Sequence, residues 1–151
     1  MMKDFQTVED VLKFAITLEQ ASQNFYRRLA EQTESPSVRH FLLEMVAEET
    51  AHEKQLRDMI TGGWQILVQE ISSEDMDRYI DAMTIPEPLD YKEAVKIARD
   101  KEKASRMLYS LLSGVTDHPG VTGILRKLAL QEQGHYQFFE QEYRRICVSE
   151  N

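Results

Sequence analysis

Between residues 7 and 33, apolar side chains return every three or four positions, at Val11, Leu12, Ala15, Leu18, Phe25 and Leu29. Glu9, Lys13, Gln20 and Arg27 fall between them. Residues three and four apart share a helical face, so the spacing predicts one long amphipathic helix. Ser35-Pro36 offers an N-cap followed by proline at the first helical position, and a second stripe through Val38, Leu42, Met45, Leu56 and Met59 runs to Gly62-Gly63. So short a turn predicts that the second helix lies antiparallel to the first. Asp90, with Glu93 three residues on, opens a third stripe through Ala94, Ile97, Ala98, Leu108 and Leu111, with Gly114 near its end. His118-Pro119 opens a fourth through Val121, Leu125, Leu128, Phe138, Phe139 and Ile146. Between Gly62 and Leu89 the pattern weakens. Pro86 and Pro88 interrupt any helix there, residues 73–83 have room for one short helix, and the strand-like run at 64–68 is too little to build a sheet.

The chain repeats itself once. Glu19 and Glu102, Glu49 and Glu132, and His52 and His135 are all separated by 83 positions, and the same offset pairs Ala15 with Ala98, Ala21 with Ala104, Tyr26 with Tyr109, Pro36 with Pro119, Val38 with Val121 and Leu42 with Leu125. Two helical hairpins, at about 7–61 and 90–147, therefore follow one plan, joined by a crossover over 62–89. Since the period is far longer than a solenoid unit, the halves are expected to face each other across a pseudo-twofold axis. The expectation is all-α: a single domain over 1–151, folded as a four-helix bundle with one long crossover between helices 2 and 3.

Glu49-x-x-His52 and Glu132-x-x-His135 place a carboxylate and an imidazole on one helical face, where both can aim at one ion. Each motif sits on the second helix of its half, with Glu19 or Glu102 on the helix before it and a tyrosine seven residues beyond that glutamate. Glu49 also continues the stripe of Leu42 and Met45, and Glu19 follows Ala15, so both acids occupy positions where apolar residues are expected. Burying four carboxylates costs several kcal/mol per ion unless they are protonated, paired or metal-bound. No Lys or Arg is expected on these stripes close to the acids, and two divalent ions would balance four carboxylates with neutral histidines. Repulsion among the acids then predicts that each Glu→Gln change leaves the metal-free bundle as stable or more so. The alternative, with acids in solvent and histidines as ordinary core residues, does not account for the repetition of all three residue types.

Other residues are assigned blander roles. Glu44, Glu48 and Glu53 read as solvated charge, and His40 and His118 as surface or capping residues. Tyr26 and Tyr109 are either core fillers or donors to a ligand carboxylate. Gly134, inside the last motif, implies close helix packing or a local bulge, and the methionines Met45, Met59, Met76, Met83 and Met107 read as core.

Composition narrows the function classes. The single cysteine, Cys147, excludes an intramolecular disulfide and any Cys-x-x-Cys metal site, and fits a reducing compartment. With 18 basic against 26 acidic residues the formal charge is −8, opposite in sign to a binder of nucleic acid or of an anionic membrane. No apolar run reaches the roughly 18 residues of a membrane span, and the first residues lack a signal-peptide core, so a cytoplasmic protein is expected.

These motifs resemble the ferritin-like di-iron carboxylate superfamily, and within it the rubrerythrin-type domain: one Glu from each of two helices, Glu19 and Glu102, and Glu-x-x-His from each of the other two. The segments from Glu19 to Phe25-Tyr26 and from Glu102 to Leu108-Tyr109 resemble the same pattern. The resemblance implies two iron ions, with Glu49 and Glu132 bridging them, Glu19 and His52 belonging to one, and Glu102 and His135 to the other; these six would also be the catalytic residues. Zinc or manganese fits the same ligand types. Peroxide-reducing rubrerythrins carry a further glutamate one turn from the first on the third helix, whereas Arg99 and Ser105 flank Glu102 at that spacing. They also carry a rubredoxin module with four cysteines, which this chain, with Cys147 alone, does not. The implied function is an oxidoreductase reacting with dioxygen or hydrogen peroxide, supplied with electrons by an external donor. The alternative is iron binding, storage or delivery without turnover of an external substrate. A homodimer or higher homo-oligomer is expected, with apolar Trp64, Ile66 and Leu67 in the crossover needing cover.

Overall fold

Four long helices dominate the computed structural model, which describes residues 8–62, 74, 88, 90–116 and 118–150. Helix α1 spans Val8–Gln32 and α2 spans Pro36–Thr61; α3 spans Tyr91–Val115 and α4 spans Pro119–Ser149. The caps are the expected ones. Ser35 Oγ accepts from the Val38 amide, Asp90 from the Glu93 amide, and the His118 ring from the Val121 amide, each satisfying a backbone donor that the first helical turn leaves unpaired. Arg39 closes the first turn from the other side, donating to the carbonyls of Ala30 and Thr33 at 3.0 and 2.8 Å. Of the expected crossover, Trp64, Ile66, Leu67, Met76, Met83 and all of the short helix expected at 73–83 except residue 74 lie outside the described residues.

The repeat extends to the helix boundaries. Both α1 and α3 contain 25 residues, and their first and last residues are related by the same offset as the candidate ligands. Helix α1 packs along α2, and α3 along α4. Gln23 reaching Glu53 in one hairpin, and Arg99 reaching Glu140 in the other, show that each pair is antiparallel. Across the hairpins Phe41 stacks on Phe138 with ring centroids 4.1 Å apart, and Tyr26 packs against Phe139. This is the all-α four-helix bundle that the stripes predict.

Among the described residues the core has two apolar clusters. One gathers Leu12, Ala15, Leu56, Met59, Leu108, Leu112, Leu125 and Leu128. The other gathers Phe25, Leu29, Leu42, Met45, Ala94, Ala98 and Phe139. On every helix the polar candidates lie between the segments that feed the two clusters, so one polar layer crosses mid-bundle, closed above and below by hydrocarbon. Among the described residues no helix is long and apolar enough to cross a membrane.

Gly134 departs from expectation. It is exposed within an unbroken α4, and a side-chain Cβ built there would meet nothing within 4 Å, so neither close packing nor a bulge accounts for it.

Candidate metal centre

All six predicted residues enter the polar layer. Glu19, Glu49, His52, Glu102, Glu132 and His135 come one or two from each helix, and none is more than 3% exposed. They form two overlapping groups, Glu19–Glu49–His52–Glu132 and Glu49–Glu102–Glu132–His135, each offering ligand atoms within 4.8 Å of one another. Glu49 and Glu132 belong to both groups. The two imidazoles stack loosely across the centre, with ring centroids 6.3 Å apart.

The hydrogen bonds that are made define which atoms are left over. Tyr109 OH donates to Glu19 Oε1, and Tyr26 OH donates to Glu102 Oε1. Each tyrosine thus serves the glutamate of the other half rather than the one seven residues before it. His52 Nε2 meets Gln131 Oε1 at 2.6 Å, and His135 Nε2 meets Glu48 Oε2. When the ring is neutral, a proton held on Nε2 by such a partner leaves Nδ1 as the lone-pair nitrogen; a metal ion binding there displaces any second proton. Among the described residues, nine buried side-chain atoms make no hydrogen bond. Eight belong to the six candidates: both oxygens of Glu49 and of Glu132, Oε2 of Glu19 and of Glu102, and Nδ1 of each histidine. Buried polar atoms without a hydrogen bond are rare, and these face one another only through ion-pair contacts, His52 Nδ1 to Glu132 Oε1 at 3.0 Å and His135 Nδ1 to Glu49 Oε1 at 3.1 Å among them; they converge as a cage of hard oxygen and imidazole donors that suits divalent metal ions. The ninth, Arg106 Nε, lies outside these groups.

Lys101 corrects the expectation that no basic residue accompanies the acids. It is 2% exposed, with Nζ 3.4 Å from Glu102 Oε1, 3.6 Å from Glu49 Oε2 and 5.5 Å from the centroid of the Tyr26 ring. Two divalent ions and four carboxylates therefore do not balance alone; the ammonium adds one positive charge. Glu48 is a second correction. Although its side chain is 47% exposed, it pairs with His135, which holds its carboxyl below the usual range. Gln131 is its counterpart in the repeat, so an acid backs one histidine and a neutral amide the other. His40 pairs with exposed Glu44, His118 caps α4, and Met45 and Met59 are core, as expected, whereas Met107 is only half-buried and belongs to neither apolar cluster. Glu53 is less free than expected, accepting from Gln20, Gln23 and Arg57. Arg99 turns away from the centre to Asp100 and Glu140, and Ser105 is buried.

Without metal, protons and Lys101 divide the acids into two kinds. Burial, then the charge of Glu49, pushes Glu19 up to about 8. Burial, then Glu102, Glu49 and Glu19, drives Glu132 well above the carboxylate range. Burial is the largest influence on Glu49 and Glu102 as well and opposes their ionisation, but Lys101 first, together with His135 and hydrogen bonds from the neighbouring acids, outweighs it, holding Glu49 well below that range and Glu102 at about 2. His135, despite its burial, is raised to about 12 by its carboxylate neighbours, Glu102 first, and His52 is raised by Glu19 and Glu49. Both tyrosines are driven well above the phenol range by burial and by the acids they serve, so they remain donors. Two ionised acids facing Lys101 and protonated His135 give a near-neutral metal-free core.

Comparison with known proteins agrees in fold and family. The family model described as Rubrerythrin matches residues 10–143. A hypothetical protein from Pyrococcus furiosus superposes with a TM-score of 0.68 at 20% sequence identity, covering 90% of this chain and 87% of that one. At that identity the likeness is one of fold. A search of curated proteins found no match.

Proposed function

Because the chain belongs to the rubrerythrin family, a ferritin-like di-iron family, we propose that it is a di-iron carboxylate oxidoreductase acting on dioxygen or hydrogen peroxide. Glu49 and Glu132 would be shared between the two positions, Glu19 and His52 would serve one, and Glu102 and His135 the other. The observation that carries this reading is the set of eight converging donor atoms without a hydrogen bond: two from each shared acid and one from each of the other four residues. When bound, the iron pair supplies the electrons that reduce the oxidant, two of them with two protons converting hydrogen peroxide to water.

The protein's share is geometry, dryness and proton placement. Tyr26 and Tyr109 each occupy one oxygen of a terminal glutamate and so leave one oxygen free for a metal. Gln131 and Glu48 orient the imidazoles through Nε2, and partners of this kind typically change metal affinity or activity by about 10–100-fold when removed. The two apolar clusters exclude water from above and below. Half-exposed Glu48 against buried His135 gives a proton a way between solvent and the interior.

Anaerobic loading with Fe(II), followed by dioxygen or hydrogen peroxide in separate stopped-flow runs, tests the reading. Oxidation of both irons, and repeated consumption of oxidant once a reductant is added, is the expected result. Iron uptake continuing far beyond the pair would favour storage or delivery instead. Failure of either oxidant to oxidise bound iron would refute the redox function.

A further inference from the structure

Besides the partners behind the histidines, Glu48 and Gln131, the two halves of the site differ at Lys101, which is fully buried. In the repeat Lys101 corresponds to Leu18, a partly buried side chain packed on the core. The ammonium therefore has no counterpart in the other half, and it lies to one side. It contacts Glu102, which belongs only to the group Glu49–Glu102–Glu132–His135, and the Oε2 edge of shared Glu49. The group Glu19–Glu49–His52–Glu132 touches the ammonium only through Glu49.

From this juxtaposition, and resting on the dimetal reading above, we propose that Lys101 makes the two metal positions unequal. The Glu19–His52 position fills first; the Glu102–His135 position fills second and only after Lys101 gives up its contacts. A divalent ion there must take Glu102 and Glu49 from a fixed positive charge and then sit close to it, a repulsion that the dry interior screens poorly. Glu48 acts in the opposite direction, since a carboxylate behind His135 makes that imidazole the better donor. Its side chain is about half exposed, so water and salt weaken its reach, whereas Lys101 is fully enclosed. The buried charge prevails.

Zn(II), redox-inert and suited to the same ligands, is the probe. Titrating the metal-free full chain against a chromophoric chelator should resolve two steps, the second weaker than statistics alone would give for two equal sites. Nitrogen NMR of labelled histidines should show the first equivalent of Zn(II) perturbing the His52 ring before that of His135; this measurement needs no substitution. Lys101→Leu, which installs the residue of the other half, should tighten the second step by about 10–100-fold, the scale on which groups behind metal ligands act, and leave the first nearly as it was. Lys101→Met, closer in shape to lysine, should do the same, and guards against a folding defect in the leucine variant. Equal steps in the wild type, or His135 responding first, would overturn the inference while leaving the dimetal reading intact. Absence of Zn(II) binding in the wild type and both variants would overturn both.

Discussion

Lys101 gives the four buried carboxylates different work in the metal-free protein, and substitution should reveal it. Glu49 and Glu102 are ionised partners of the ammonium and of His135; Glu19 and Glu132 are held protonated by burial and by their neighbours. In chelator, Glu49→Gln and Glu102→Gln should each cost roughly 3–5 kcal/mol, because each strands buried positive charge. Glu19→Gln and Glu132→Gln, which replace neutral acids by neutral amides, should change stability by about 1 kcal/mol or less. The uniform response expected from carboxylate repulsion alone is thereby corrected, and denaturant melts of the four variants in chelator would distinguish the cases. The pH response has a definite sign. A carboxyl raised to about 8, as in Glu19, stabilises the fold fully below its unfolded value of 4.5 and loses that contribution as pH climbs through 8. His135, raised to about 12, contributes fully below 6.5 and progressively less above it, while the contribution of Glu102, lowered to about 2, is present above 4.5 and lost in acid. In chelator, Tm should therefore fall between about pH 5.5 and pH 8, and Glu19→Gln should flatten part of that fall. A rise in wild-type Tm over the same interval would contradict these assignments.

Helices and turns were the most legible part of the chain, because each boundary carries a local physical signal: Ser35, Asp90 and His118 at N-caps, proline at first helical positions, and apolar side chains every three or four residues. The six candidate ligands were equally legible, since the repeat places them at corresponding points of helices whose faces the stripes already define. Contacts between helices were not. A sequence shows which residues share a face but not which face it meets, so the crossed pairing of Tyr26 with Glu102 and Tyr109 with Glu19 emerges only from the packed bundle. Lys101 does leave a signal in the sequence, in a stripe one register away from the one through Ile97 and Leu111. Ala94, Ala98, Lys101, Ser105, Leu108 and Leu112 step by four and three along α3, and every one of them is buried. Gly134 leads to a prediction on α4. With open space where its side chain would be, Gly134→Ala should raise stability by about 0.5–1 kcal/mol through the lower conformational freedom of the unfolded chain. Chemical denaturation checks it, and a loss of stability would mean that the position serves packing not visible in this chain alone.

Among the described residues, one arrangement reconciles a hydrophobic core with six buried polar side chains: a charged layer held between two apolar clusters and supplied by all four helices. The layer is nearly neutral without metal because protons and Lys101 stand against the acids. It is prepared for metal because eight donor atoms remain without hydrogen bonds. Binding to the folded form alone should stabilise it by mass action, so each added equivalent of metal should raise Tm until the pair of positions is filled. The central claim is that two irons share Glu49 and Glu132. The most direct test is Mössbauer spectroscopy of the full chain loaded with iron-57, oxidised, and assayed for iron content. Two irons per chain with a spin-coupled, diamagnetic ferric ground state is the predicted result. Isolated paramagnetic ferric ions, or a single iron per chain at saturating metal, would contradict it.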